Sequence, residues 1–311
     1  MGMSSAPGSP TPIAIVGPTA SGKSAASLAL AHATSGHIVN IDSMQLYRGM
    51  DIGTAKLSPV EREGIPHHLL DIWEVTKPAS VAEYRARAVE CIEGLMSESI
   101  QPVIVGGSMM YVQALVDQWD FPPTDPAVRA KWETELHRVG VRALHDHLAE
   151  VDPQAASIIE DNDPRRTVRA LEVIELTGQP FAASQPPKDG PARWGMTIVG
   201  LHAPAEWLSP RIEQRVQHMF DQGLVGEVER LRESHGLVRN STAGQAIGYA
   251  QVLDYLDGEY SLEEARERTV TGTRRYARRQ RSWFRRDPRI TWVDAASADV
   301  VGEVLNAAGL G

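Results

Sequence analysis

Residues 17–24 read GPTASGKS, which fits the spacing G-x-x-x-x-G-K-[ST]. In such a loop Gly17, Pro18, Thr19, Ala20, Ser21 and Gly22 form a cradle. The two glycines let the backbone curl until its N–H groups point inward. Those groups and the N-terminus of the following helix bind phosphate oxygens. Lys23 reaches across the phosphates, and Ser24 is placed to ligate a Mg²⁺ ion that bridges them. The loop therefore specifies a phosphate chain. Phosphoryl transfer also needs a strand ending in an acid to hold the metal. The apolar run PVIVGGS ends in Gly-Gly-Ser instead. Asp42 in NIDS and Asp71 in HLLDI remain as candidates, so ATP is not specified.

Asp42 follows the apolar run at residues 38–41. At the carboxyl ends of parallel strands such residues face the ligand crevice. A carboxylate there suits metal binding through water, proton abstraction from a nucleophile, or capping of a turn. Arg211 and Arg215 stand four apart, on one face of a helix. The stretch 274–289 holds eight arginines and one acid. Arg274, Arg278, Arg281 and Arg285 recur at i, i+4, i+7 and i+11, a stripe that suits a phosphate backbone. Trp283 and Phe284, beside it, suit a core or stacking on bases. Adjacent His67 and His68 point differently on most backbones, which argues against a shared metal.

These groups need a scaffold. Apolar runs at 13–16, 38–41 and 102–107, with HHLLDI as a further candidate, alternate with helical patterns such as 80–97. That alternation predicts an α/β fold, a P-loop-type parallel sheet flanked by helices. The pattern changes at FPPTDP. From residue 122 to 189 the chain reads as an all-helical insertion bounded by proline-rich breakers. The catalytic core then comprises residues 13–121 and 190–311, after a disordered lead-in over 1–12. MTIVGLHA returns to a strand, and helices are expected from there to the end.

The net charge of −9 argues against a general nucleic-acid binder, so the basic segment reads as a local site. One cysteine, Cys91, leaves no intrachain disulfide; Val81, Tyr84, Ala88, Cys91 and Leu95 share a helical spacing that predicts a buried thiol. No apolar run suits a membrane span and no signal-peptide pattern stands at the N-terminus, so a cytoplasmic location with no membrane partner is expected.

The blocks GPTASGKS, DSMQLYRGMDIGTAK, IPHHLLDI, PVIVGGSMMY, NDPRRTVRALEV, QAIGYAQ and RRYARRQRSWFR occur in this order. Together they resemble the tRNA dimethylallyltransferase, or tRNA isopentenyltransferase, family, from about Ile13 to Asp294. The resemblance implies transfer of a dimethylallyl group from dimethylallyl diphosphate to N6 of the adenosine 3′ of the anticodon, in tRNAs reading codons that begin with U. It also implies a monomer. The phosphate loop would then hold the donor's diphosphate, with Mg²⁺ at Ser24, and no γ-phosphate would be transferred. Asp42 matches the family's base; Ser108 stands where the family commonly has threonine. One of Arg211 and Arg215 matches a diphosphate-binding arginine. Asp42, Ser43, Met44 and Gln45 match the base-contacting turn. Arg165, Arg166 and Arg169, Gln245 and Gly248, and the arginine stripe match RNA-contacting blocks. Prenylation of a free nucleotide and phosphoryl transfer stand as rival activities.

Overall fold

Strands β1 (Ile13–Val16), β2 (His37–Asn40), β3 (His67–His68), β4 (Pro102–Gly106), β5 (Thr197–His202) and β6 (Ile290–Asp294) form one parallel sheet in the order β3-β2-β4-β1-β5-β6. The computed structural model describes residues 9–117, 121–181 and 190–311. Ala14 and Val16 point to one core and Ile13 and Ile15 to the other. Val39 and Ile104 against Ile38 and Val103 repeat that alternation. A strand apolar on both sides must be covered on both faces, which is why the sheet is parallel and central.

The helices of the sheet's own unit are α1 (Lys23–Thr34), α2 (Val81–Ser97), α3 (Met109–Val116), α8 (Ala205–Asp221), α9 (Leu224–His235), α10 (Tyr249–Leu256), α11 (Leu262–Phe284) and α12 (Val300–Ala307). Helix α2 starts where Ser80 accepts the Glu83 N–H, and buries Tyr84, Ala88, Ile92 and Leu95 along one stripe. Cys91 is half-buried at the edge of that stripe, and burial pushes its thiol up to about 11. Helix α11 starts with a capping box between Ser261 and Glu264.

Two expectations change here. The chain does not stay helical after β5: Ile290–Asp294 returns as an edge strand paired with β5. ITWVD is short and follows a long basic helix, and only its pairing with Ile198 to His202 makes it a strand. HHLLDI contributes only the two residues of β3, because Leu69 and Asp71 adopt positive φ and end the pairing.

The described residues between 117 and 190 form a second compact unit. Its helices are α4 (Pro126–Val139), α5 (Val141–Val151), α6 (Pro153–Ile158) and α7 (Pro164–Thr177). Three of them begin with an Asp-Pro pair. Asp125, Asp152 and Asp163 each accept N–H groups of the first turn, while the proline takes a position whose N–H would go unpaired. Leu144, Leu148, Ile159, Val168 and Leu171 fill the core. Glu172 is fully buried there, held by Arg129 (2.7 Å), Arg169 (2.9 Å) and the Asp125 N–H (3.1 Å). Most of the lead-in (1–8) and residues 185–189 of the breaker near the insertion's end lie outside the described residues.

Candidate active site

Three strand ends meet at the carboxyl edge of the sheet: β1 runs into the phosphate loop, β2 into Asp42, and β4 into Gly107. Helices α8 and α11 close the space above them around a cavity of about 490 Å³. Its walls include Thr19, Ala20, Ser21, Gly22, Lys23 and Ser24 from the loop, and Asp42, Ser43, Met44 and Gln45 from the turn after β2. Arg215 of α8 and Gln245 complete the part of the wall that sequence reasoning named.

The loop is fixed at both ends. Gly17 has φ 145°, and a Cβ there would lie 2.6 Å from the Leu201 carbonyl oxygen of the neighbouring strand. Ser21 Oγ and Lys23 Nζ both donate to the Pro18 carbonyl (2.8 and 2.6 Å). Burial, and after it the nearby Arg215 charge, pull the Lys23 ammonium down to about 7, against Asp42, which holds it up. Burial also lowers Arg215, again opposed by Asp42. Two cations facing one carboxylate in a cavity make a site for an anion with more charge than a carboxylate brings.

Asp42 is oriented by its neighbours. Its N–H donates to Asn40 Oδ1 (3.0 Å), and its Oδ1 accepts the Met44 N–H (2.9 Å). Its other oxygen has no hydrogen-bond partner among the described residues. Ser108 is buried, next to the cavity-lining Tyr276. It accepts the Ser43 N–H (2.9 Å) and donates to Ser43 Oγ (3.1 Å). Its contacts are therefore with the turn that carries Asp42 and with the Tyr276 hydroxyl of α11. Gln45 donates to the Thr54 carbonyl (3.1 Å), which ties the turn to the segment 53–55 across the cavity.

The remaining sequence candidates sort by place. Arg215 reaches the cavity, whereas Arg211 is exposed, with its guanidinium 3.9 Å above the Trp207 ring. One turn separates them, but Trp207 draws Arg211 outward. Gly248 is buried at the start of α10, and its N–H donates to Gln251 (2.8 Å); Gln245, Ala246 and Ile247 of that block line the cavity, and Gly248 does not. Arg274, Arg278 and Arg285 are exposed along the outer side of α11, with Arg281 partly covered. Arg274 is paired with Glu213 of α8, so an opposite charge does reach the stripe, from another helix. Phe284 is core and Trp283 packs against that core. In the insertion, Arg165 and Arg166 are exposed, but Arg169 donates to Glu172 and to the carbonyls of Pro122 and Pro123. Asp71 is ion-paired with Lys56 (2.6 Å) and is not among the residues lining the cavity. His68 hydrogen-bonds His37 (3.0 Å) while His67 bonds the Ile65 carbonyl, so the two histidines do not converge.

Sequence reasoning missed the inner side of α11. Thr269, Thr273, Tyr276, Arg279 and Gln280 line the cavity. Gln280 is buried; its oxygen accepts the Thr19 N–H and its amide donates to the Gly107 carbonyl, both at 2.9 Å. It thus ties the phosphate loop to the end of β4. A Cβ on Gly107 would lie 2.3 Å from that amide, so the second glycine of VGGS makes room for it. Burial pushes the Tyr276 hydroxyl up to about 12, so it stays a neutral donor. The signal was present in the sequence: small and polar residues recur at 269, 273, 276 and 280, opposite the arginines.

A parallel sheet with a phosphate loop after β1 and a carboxylate after β2 defines a protein of the P-loop class. The family model for IPP transferase matches residues 45–287. A tRNA dimethylallyltransferase of Corynebacterium jeikeium is 70% identical over 299 residues, covering 96% of each chain. The crystal structure of the full-length tRNA isopentenylpyrophosphate transferase of Bacillus halodurans superimposes with a TM-score of 0.69 at 37% identity, over 96% of this chain and 94% of that one. A eukaryotic dimethylallyltransferase acting on tRNA gives 0.79 at 28% identity, over 92% of this chain and 74% of that one. The chain belongs to the IPP transferase family. The family model begins at Gln45, beyond the phosphate loop, so the reading of that loop stands on its own motif and geometry.

Proposed function

We propose that this protein transfers the dimethylallyl group of dimethylallyl diphosphate to N6 of the adenosine 3′ of the anticodon, in tRNAs that read codons beginning with U, releasing diphosphate. One observation carries the reading. The phosphate loop, the side chains of Lys23 and Arg215 and an uncommitted carboxylate oxygen share one cavity, and β4 brings Gly-Gly in place of a metal-binding acid.

The loop N–H groups, Lys23 and Arg215 bind the diphosphate and stabilise the charge that grows as it leaves. An exocyclic amine conjugated to a purine is a poor nucleophile. Asp42 removes its proton as the C–N bond forms, and the diphosphate departs with the electron pair of the broken C–O bond. The Ser24 hydroxyl is exposed in the same cavity and makes no side-chain hydrogen bond among the described residues, so it fits Mg²⁺, which takes hard oxygen ligands. Bound there, the ion would neutralise part of the diphosphate charge. Met44 and Gln45 meet the target base, which leaves the anticodon stack to reach the cavity. The outer arginines of α11, with Arg165 and Arg166 of the insertion, hold the RNA backbone. The protein acts as a cytoplasmic monomer; among the described residues no helix is long and apolar enough to cross a membrane.

The test is a pair of anticodon stem-loops that differ only at the base 3′ of the anticodon. With dimethylallyl diphosphate and Mg²⁺, the adenosine form gains the prenyl group and the guanosine form does not. Equal labelling of both, or of neither, contradicts the reading.

A further inference from the structure

Beneath the cavity wall lies a buried carboxylate that is not itself among the residues lining the cavity. Glu227 of α9 is 2% exposed. Its Oε2 accepts the N–H groups of Asp51 (3.2 Å) and Ile52 (2.8 Å); its Oε1 accepts that of Gly53 (3.3 Å) and the hydroxyl of Tyr249 (2.5 Å). Four donors converge on one carboxylate with no cation among them. Burying a charge is costly unless its oxygens are fully hydrogen-bonded, and three successive backbone N–H groups can meet it only if the chain turns around it.

The held segment leads directly into the cavity wall at Gly53, Thr54 and Ala55. Gly53 packs against the Tyr249 ring, 2.4 Å from where a Cβ would stand. The Thr54 carbonyl then accepts from Gln45 (3.1 Å) and, more distantly, from Arg215 (3.5 Å). A single carbonyl thus orients the base-side glutamine and the diphosphate-side arginine. Lys56 anchors the far end of the segment on Asp51 (2.7 Å), Asp71 (2.6 Å) and the Tyr47 carbonyl (2.9 Å).

We infer that Glu227 is a positioning residue of the transfer site: by clamping the backbone of 51–53 it sets the Thr54 carbonyl, and through it both Gln45 and Arg215. The inference rests on the proposed activity for its meaning, but its physical content concerns anion binding and backbone order. Glutamine at 227 keeps the shape but exchanges one acceptor oxygen for an amide that faces N–H donors.

The experiment compares the full-length protein with Glu227→Gln and Tyr249→Phe. Three quantities are read: amide exchange of 50–56, affinity for inorganic diphosphate with Mg²⁺, and KM for tRNA and donor against kcat. For Glu227→Gln we expect faster exchange confined to 50–56, diphosphate affinity down about tenfold, and both KM values up by a similar factor with kcat changed less. Glu227→Asp, which keeps the charge, restores part of the loss. Exchange and diphosphate affinity at wild-type values in Glu227→Gln overturn the inference, as does a lowered melting temperature with both KM values unchanged. If Glu227→Gln does not fold, Tyr249→Phe decides: faster exchange of 50–56 supports the clamp and wild-type exchange overturns it. A wild-type protein that binds diphosphate but prenylates no tRNA defeats the proposed activity alone; the exchange and affinity comparison then still decides for or against Glu227.

Discussion

The phosphate loop and the turn at Asp42 occupy neighbouring walls of one cavity, yet they are held in different ways. Much of the loop's shape is set within its own span: glycines that permit it, and Ser21 and Lys23 folded back on Pro18. Gln280 adds one long-range tie. The turn has little of its own. It depends on Asn40, on Ser108 from after β4, and on Thr54, whose segment is gripped by Glu227 from α9. A wall built locally is robust to change elsewhere, whereas a wall tied to Ser108 and, through the segment 51–55, to α9 transmits their loss to the site.

That contrast can be broken at its strongest point first. Asp42→Asn keeps the shape of the turn and removes the base. Transfer should fall by about 10²–10⁴-fold while tRNA affinity, read by filter binding, stays within a few-fold. A large loss of tRNA affinity with modest loss of turnover would make Asp42 an RNA-holding residue. Next comes Arg215→Ala, which should weaken donor binding by about tenfold to a hundredfold in titration calorimetry. Arg211→Ala, one turn away, is the matched control at the lower end of the scale.

Lys23 gives the contrast a pH signature. Its ammonium, lowered to about 7 by burial and then by Arg215, is charged below that pH and neutral above it in the ligand-free protein. A bound diphosphate favours the charged form. Affinity should therefore be full below about pH 7 and fall as pH rises through it, by at most about tenfold per pH unit. Calorimetry from pH 6 to 9 checks this against Lys23→Met, which removes the lysine's share. Arg215→Ala should shift the fall to higher pH.

Smaller effects belong to the RNA surface. Arg278→Ala and Arg285→Ala should each weaken tRNA binding several-fold and reduce the salt slope by about one, with donor affinity unchanged. Arg274→Ala should do less, because its guanidinium is already paired with Glu213. The smallest change is expected for Arg211→Ala, with donor affinity within about twofold, since this residue only stacks on Trp207.

What the sequence made legible follows the same division. The phosphate loop, the strand before it and Asp42 at the end of β2 were readable because motif, strand and helix are contiguous. The insertion was readable from its prolines and the absence of strands. Strand β6 was not, because ITWVD is too short to carry a period and is defined by its partner β5. Gln280 and Tyr276 were hidden by the arginines on the other side of the same helix. Glu227 was hidden more thoroughly: in LVGEVERLRESH it looks like one solvated acid among several. Its burial depends on Tyr249 and on the backbone of 51–53, which lies 174 residues or more away in the chain. Arg169 shows the reverse case. The block NDPRRTVR displays three arginines, and only the fold shows that the third faces buried Glu172.

The central claim is that the phosphate loop holds a prenyl donor and the acceptor is an RNA base. Mass spectrometry of nucleosides from an unmodified tRNA tests it most directly, after incubation with the protein, Mg²⁺ and dimethylallyl diphosphate, with AMP and ATP offered in parallel reactions. Dimethylallyladenosine is expected at the position 3′ of the anticodon, and much less of it with Asp42→Asn. Prenylated AMP or newly formed ADP, with the tRNA unchanged, would contradict it.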